Sequence, residues 1–510
     1  MPLMFRILAA LIAAVSVQAQ TPRTSFRPSP RVLTVASLSS VYDMASITGV
    51  RVADFDRDGA RDIAVAWFAT DLESYANNRR RLTIFYGDGP GGFARDTEID
   101  LYIRNTLDPL SIFRYGTADL AAGDYDGDGD VDLAVPAFFG DELWLIENLG
   151  SRTYVPRLKY PFGFNSTGNS ITPPETAAAD LDGDGRDELI YLPDPLQRIQ
   201  GFFVHIWRTG DTISNMARVT WDAETPIGVV NYTWSLAVDD FDGDERPDIC
   251  FAGTTDFGQE IGPTLVVWHG LDSHGLFQLH TETPSFVVSD AAPLAVPGGC
   301  PSSLVLGDRE GTQLARFDAA CSGTVDFWPA DSIGGFAGTS SRGIAVEPAD
   351  VNGDGFVDLV IRHKGGAPGA GNLVEIAVGT PNGLVRVDPN PLFSDAFANS
   401  TFSDMLRPRN LAVADVMGSS RPEIVAGFGP SPSEDVGFGT LDIAIWENGC
   451  RGDVNGNGAT DLTDLTTMIG SMACQPDPRY RPEADLDGSG CIDLTDIATL
   501  LADFGCDQRN

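Results

Sequence analysis

A short acidic loop recurs along this chain, and no other feature restricts its possible folds so strongly. The segment Val52-Ala53-Asp54-Phe55-Asp56-Arg57-Asp58-Gly59-Ala60-Arg61-Asp62-Ile63 has relatives beginning at Asp124, Asp180, Asp240 and Asp350. Two degenerate copies begin at Asp308 and Asp415, giving seven starts spaced by 70, 56, 60, 68, 42 and 65 residues. An apolar stretch precedes each loop and a β-rich stretch follows it, then a further strand such as Glu142–Asn148. Short strands bounded by Gly, Asn and Asp predict antiparallel sheets. One four-stranded sheet per repeat of roughly 40–70 residues is propeller arithmetic. The expected fold is therefore mainly β: a seven-bladed β-propeller of four-stranded antiparallel blades over 31–448, then a small α-helical double-EF-hand-like domain over 449–510. The last repeat stops at Leu441–Glu447, whereas Arg31–Leu38 is a strand without a repeat. Joining the two would close the ring and remove exposed edges.

The loops have the chemistry of a hard-cation site. Acids at positions 1, 3, 5 and 9 can converge on one ion, position 7 adds a backbone carbonyl, and glycine at position 6 permits the sharp turn. The expected calcium ligands are Asp54, Asp56, Asp58, Ala60 and Asp62 in the first loop, and Asp124, Asp126, Asp128, Asp130 and Asp132 in the second. They are Asp180, Asp182, Asp184, Arg186 and Glu188 in the third, and Asp350, Asn352, Asp354, Phe356 and Asp358 in the loop at Asp350, with Ala60, Asp130, Arg186 and Phe356 acting through carbonyls. The loop at Asp240 offers Asp240, Asp242, Asp244 and Asp248 but has Glu245 at the glycine position. The copies at Asp308 and Asp415 lack the middle ligands and are expected to be metal-free. That makes about five calcium ions in the propeller.

After Cys450 the pattern changes to twelve-residue loops. The first offers Asp453, Asn455, Asn457, the carbonyl of Ala459, Asp461 and Asp464. The second offers Asp485, Asp487, Ser489, the carbonyl of Cys491, Asp493 and Asp496. Each opens a helix, with apolar stripes predicted at Leu462, Leu465 and Met468/Ile469, and at Leu494, Ile497, Leu500 and Leu501. Two more calcium ions are expected here. Arg451-Gly452-Asp453 spells an adhesion tripeptide, but Asp453 is committed as a first ligand.

Two family resemblances follow from these residues. The repeats over 31–448 resemble the FG-GAP (integrin α-chain-like, VCBS-type) family, which implies a β-propeller with calcium in hairpin loops near one rim. Asp464 and Asp496 stand where ordinary EF-hands carry Glu, and with the tandem duplication they resemble a type I dockerin. That resemblance implies a cohesin partner contacted through Leu462, Thr463, Leu494 and Thr495. A calcium- and disulfide-stabilised cap without a cohesin is the other reading of the module.

The wider composition narrows the setting. Residues 1–19 read as a secretory signal peptide, with Arg6 before an apolar run and cleavage expected after Ala19, and 20–30 as a linker. An excess of 72 acidic over 34 basic residues excludes nucleic acid and anionic membranes as partners, and no later stretch is a candidate for membrane insertion. Seven cysteines suit an oxidising compartment. Cys450, Cys474, Cys491 and Cys506 crowd the C-terminus, Cys300 and Cys321 are close enough to pair, and Cys250 is left as a buried thiol, with connectivity open.

None of the five histidines (His205, His269, His274, His280 and His363) lies in a catalytic motif. The leading expectation is thus a secreted calcium-binding adhesion or interaction protein whose propeller displays a glycan- or protein-binding surface. The alternatives are a carbohydrate-active enzyme (polysaccharide lyase or glycoside hydrolase) and a purely structural matrix component. A propeller site would sit on long insertions at 66–82, 158–175 and 389–408.

Overall fold

The computed structural model describes residues 30–39, 44–71, 78–89, 92–101, 119–136, 142–161, 175–192, 203–206, 217–220, 229–240, 246–256, 261–269, 278–282, 288–294, 303–308, 314–317, 325–328, 344–352, 356–363, 374–380, 383–386, 410–418, 421–428, 439–450, 452–455, 459–474, 477–481 and 491–502, with positions 26, 42, 117, 484, 486 and 504. Alternating and β-branched strands here pair into seven four-stranded antiparallel sheets among the described residues. Six of them are meanders of four consecutive strands. The seventh takes its outer strand from the N-terminal side: Arg31–Ser37 pairs antiparallel with Thr440–Trp446, Arg31 opposite Ile445.

Each sheet's first strand packs against the first strand of the next, from Met44–Ala53 through Ala121–Gly123, Glu175–Ala179, Val229–Asp239, Val288–Leu294 and Ile344–Ala349 to Leu411–Ala414, which in turn contacts Met44–Ala53. Together they line a cavity of about 390 Å³. Small residues permit this approach: a Cβ built on Gly123 would stand 2.7 Å from the Ala178 Cβ. Apolar clusters fill the space between neighbouring sheets. One joins Val65 and Trp67 of the first sheet to Val35, Val425 and Ile443 of the seventh. Another joins Leu82 and Ile84 to Leu133 and Trp144 of the second.

Every connection between first and second strands is eight residues long: 54–61, 124–131, 180–187, 240–247, 295–302, 350–357 and 415–422. This corrects the placement of the fifth repeat. Asp308 ends the strand Ser303–Asp308 and pairs with Val288, at the opposite end from the hairpin loop. The equivalent loop is 295–302, which has the common length but no carboxylate. The proposed insertion at 66–82 is corrected too: 66–70 and 79–82 are paired strand, Ala69 opposite Arg79. The insertion at 389–408, most of that at 158–175, and the Cys300–Cys321 pair lie outside the described residues, as do residues 1–19.

The C-terminal module carries two helices, α1 (Leu462–Ser471) and α2 (Leu494–Ala502). Met468, Leu486, Ile492 and Leu500 are buried together, with Leu465, Ile497 and Leu501 packed against them. The predicted stripes are thus corrected at their first members, Leu462 and Leu494, which face solvent, and at Ile469, which does so too while Met468 is buried. Each leucine sits at the first helical position beside a loop that holds the helix start, so the apolar face begins one turn later. Cys474 and Cys491 form a disulfide, Cys450 is also disulfide-bonded, and Cys250 is a buried free thiol.

Candidate functional site

The first three hairpin loops share one internal geometry, set by their own side chains. The position-1 carboxylate accepts from backbone amides across the turn: Gly59 to Asp54 at 3.0 Å, Gly129 to Asp124 at 2.8 Å, Gly185 to Asp180 at 2.9 Å. Position 5 accepts from the amide of position 7, as when Ala60 donates to Asp58 at 2.8 Å. These bonds require left-handed backbone at two places. Position 6 is glycine throughout, with φ of +89°, +84° and +88° at Gly59, Gly129 and Gly185. Position 4 is Gly127 or Gly183 in two loops and Arg57, at φ +62°, in the first.

Position 9 opens the second strand and is fully buried as Asp62, Asp132, Glu188, Asp248 and Asp358. Its carboxylate ties the loop down. Asp132 accepts from Tyr125 N at 3.1 Å and Asn148 N at 2.7 Å, Asp62 from Phe55 N and Gly87 N, and Asp358 from Val351 N and Gly379 N. The degenerate seventh loop keeps this latch, with Val416 N donating to Glu423 at 2.9 Å.

Three loops gather carboxylate oxygens within 4.8 Å of one another: Asp54, Asp56 and Asp58; Asp124, Asp126 and Asp132; Asp180, Asp182 and Glu188. Asp62 stands apart from the first group, and Asp128 and Asp184 from the other two. Burial and neighbouring like charges push these acids up, Asp126 and Asp62 to about 6 and Asp132 and Glu188 to about 8. A cation among them would reverse that penalty. The third loop fits one best, because Glu188 Oε1 is buried without a hydrogen-bond partner while its Oε2 is held by Leu181 N at 2.7 Å. An oxygen-only donor set at a sharp turn suits calcium. Asp242, Asp244 and Asp354 lie outside the described residues; Asp240, Asp350 and Asn352 take the same place in their loops.

Two arginines that sequence patterning did not single out bind the first loop to the second sheet. Arg57 reaches the carbonyls of Asp128 and Gly129 at 2.8 and 3.0 Å and the Asp130 carboxylate at 2.9 Å. Arg152 meets Asp56 at 2.7 Å. Asp187 joins the third loop to the second: it accepts from Asp124 N at 2.9 Å and returns its own amide to Asp124 O.

In the module, each helix start is clamped by a buried loop acid. Asp464 accepts from Asn455 N at 3.0 Å and Asp461 N at 2.9 Å; Asp496 accepts from Leu486 N and Asp493 N, both at 2.7 Å. Asp461 caps α1 by accepting from Thr463 N at 2.7 Å, and Asp493 accepts likewise from Thr495 N. These clamps turn the two Leu-Thr pairs outward, leaving Leu462 67% and Leu494 74% exposed beside exposed Thr463 and Thr495. Asp453, Asn455 and Ala459 lie in the first loop beside this clamp; Asn457, Asp485, Asp487 and Ser489 are outside the described residues.

Residues 451–503 match the Dockerin type I domain family. That match supports calcium as the cation of the module and a cohesin-like protein as its partner. No curated protein matches the chain. Solved structures similar to it include a rhamnogalacturonan lyase (16% identity, covering 83% of this chain and 76% of that one, TM-score 0.44). An Agrocybe aegerita lectin that recognises non-reducing terminal N-acetylglucosamine matches at 14% identity over 81% of this chain and 98% of its own, TM-score 0.44. A Penicillium chrysogenum α-L-arabinanase matches at 12% identity over 68% and 94%, TM-score 0.40. Among the described residues, no helix is long and apolar enough to cross a membrane.

Proposed function

We propose that this chain is an exported protein of extracellular polysaccharide breakdown, anchored to a cohesin-type receptor through its C-terminal module. The observation that carries the reading is the pair of outward-facing Leu-Thr steps on clamped helix starts, Leu462-Thr463 and Leu494-Thr495, within a stretch that matches a dockerin. A solvent-facing leucine repeated at equivalent places offers apolar contact area that the module's own core does not use. In this reading 31–448 form one closed seven-bladed propeller of FG-GAP type. Calcium is held by loop acids at Asp54, Asp124, Asp180, Asp240 and Asp350, and in the module by the loops at Asp453 and Asp485.

The dockerin match favours a carbohydrate role for the propeller over general adhesion, because dockerins usually ride on polysaccharide-degrading enzymes. The propeller then acts as a polysaccharide lyase or glycoside hydrolase, or it holds the polysaccharide without cleaving it. Two measurements test the proposal. Binding of the full chain to a panel of cohesins in calcium should be strong for the wild type and lost in a Leu462→Asp/Leu494→Asp double variant that keeps its circular dichroism. No binding to any cohesin would leave the module as a cap. New chain ends released from acidic or neutral polysaccharides would establish the enzyme, and retention without release would establish the binding protein.

A further inference from the structure

The first loop differs from its two neighbours in holding an arginine of the protein's own on its position-3 acid, whereas the arginine on the second loop, Arg57, meets Asp130 at position 7, outside the gathered acids. Arg152 lies in the turn after Glu142–Asn148, where Leu149 N donates to Thr153 O at 2.8 Å and Thr153 N to Gly150 O at 3.0 Å. Ser151 and Arg152 both adopt left-handed backbone, φ +52° and +61°, which non-glycine residues rarely take. That turn delivers the guanidinium to the first sheet. Its Nε stands 2.8 Å from Asp56 Oδ2, another nitrogen lies 3.1 Å from Asp96 Oδ2, and the group is 4.0 Å from the centre of the Tyr86 ring. Asp56 is position 3 of the loop and belongs to the cluster with Asp54 and Asp58. Asp126 and Asp182 occupy the same position in the next two loops, and among the described residues no basic side chain pairs with either.

The gathered acids differ accordingly. In the second and third loops position 9 joins positions 1 and 3, whereas in the first position 5 takes that place, although Asp62 and Asp132 are latched alike by two backbone amides. A planar guanidinium held by two carboxylates and an aromatic face is a well-organised counter-charge.

We propose that Arg152 is a built-in competitor for calcium at the first loop, so that this loop keeps its shape without the ion and fills at higher calcium than the second and third. This rests on the calcium reading of the loops. Calcium binding at Asp56 Oδ2 would displace the guanidinium, and binding at Oδ1 would set the ion against its positive charge. Removing that competitor should tighten one site by roughly 1.5- to 5-fold, the range an ion pair of this exposure allows.

Calorimetric titration of the calcium-stripped mature chain with Ca²⁺ tests it, using wild type, Arg152→Ala, Arg152→Gln, Asp56→Asn and Asp180→Asn. The expected result is tighter binding at one site in both Arg152 variants, a gain that disappears when Asp56→Asn is added. In chelator the same variants should melt lower than wild type, with a larger rise on adding calcium. Unchanged or weaker binding in a folded Arg152 variant would overturn the proposal. If Asp180→Asn takes up as many ions as wild type, the calcium reading itself fails.

Discussion

The side-chain amide of Asn148 donates to the carbonyl of Phe55 at 2.8 Å, crossing from the second sheet into the hairpin loop of the first. The same amide reaches Val131 O at 3.2 Å in its own loop. Asn448 repeats the arrangement between the seventh and sixth sheets, donating to Val351 O and to Pro422 O. In both cases the asparagine stands at or just beyond the end of the third strand and joins position 2 of the preceding loop to position 8 of its own. Neighbouring sheets are therefore tied through their loops as well as through apolar packing.

Asn148→Ala should destabilise the protein by about 1–3 kcal/mol, because a buried carbonyl and a part-buried one lose a shared donor. Urea unfolding followed by tryptophan fluorescence measures it. A change within about 0.5 kcal/mol, the range of ordinary surface substitutions, would mean that the loops are not coupled this way.

Glu188 and Glu423 separate the latch from the metal. Both accept from the amide at position 2 of their loops, yet only Glu188 lies with other acids. Replacing Glu423 by Ala should lower the melting temperature equally in calcium and in chelator. Glu188→Ala should lower it far more in calcium than in chelator, since it also removes a ligand whose binding stabilises the folded state. Equal loss in both conditions for Glu188→Ala would reduce that residue to a latch.

Much of this organisation is legible in the residues. Carboxylates at alternate positions announce the loops because few other patterns need them, and the N-terminal strand at Arg31–Ser37 is betrayed by having no repeat. What escapes is whatever acts between repeats. Asn148 has a counterpart in Asn448 but neither carries a charge or turn signal that marks it, Arg152 belongs to no repeated pattern, and the partners of Asn148 and Arg152 lie 93 and 96 residues away in sequence. The fifth repeat misleads for the opposite reason: Asp308-Arg309-Glu310-Gly311 copies the composition of a loop, while the true loop at 295–302 keeps only its length. In the module, helical spacing identifies the inward face correctly at Leu465, Met468, Ile497, Leu500 and Leu501, though not at Ile469. It cannot register that capping turns the first residue of each helix outward.

In the metal-free protein, acid should stabilise. Burial lifts the Asp132 and Glu188 carboxyls to about 8 from unfolded values near 4, so between those limits the folded state binds more protons than the unfolded one. Stability then falls as pH rises through that window. In chelator the melting temperature should drop steadily from pH 5 to pH 8.5. With saturating calcium the drop should vanish, because the ion replaces the protons. A melt in chelator that rises across this range would contradict the burial of these acids beside uncompensated charge.

Met468 and Leu462 are both apolar members of α1, but their environments predict opposite outcomes. Met468 is fully buried against Leu486, Ile492 and Leu500, whereas Leu462 is 67% exposed. Truncating Met468 to Ala removes contacts from a small core with little capacity to close the void, and should cost about 2–5 kcal/mol. Leu462→Ala should stay within about 0.5 kcal/mol of wild type. Under the proposed docking role its effect should appear in receptor binding. Chemical unfolding and cohesin binding measured on both variants would separate the roles. If Leu462→Ala unfolds the module while Met468→Ala leaves it intact, the helix is packed by the other face and the outward Leu-Thr steps lose their part in docking.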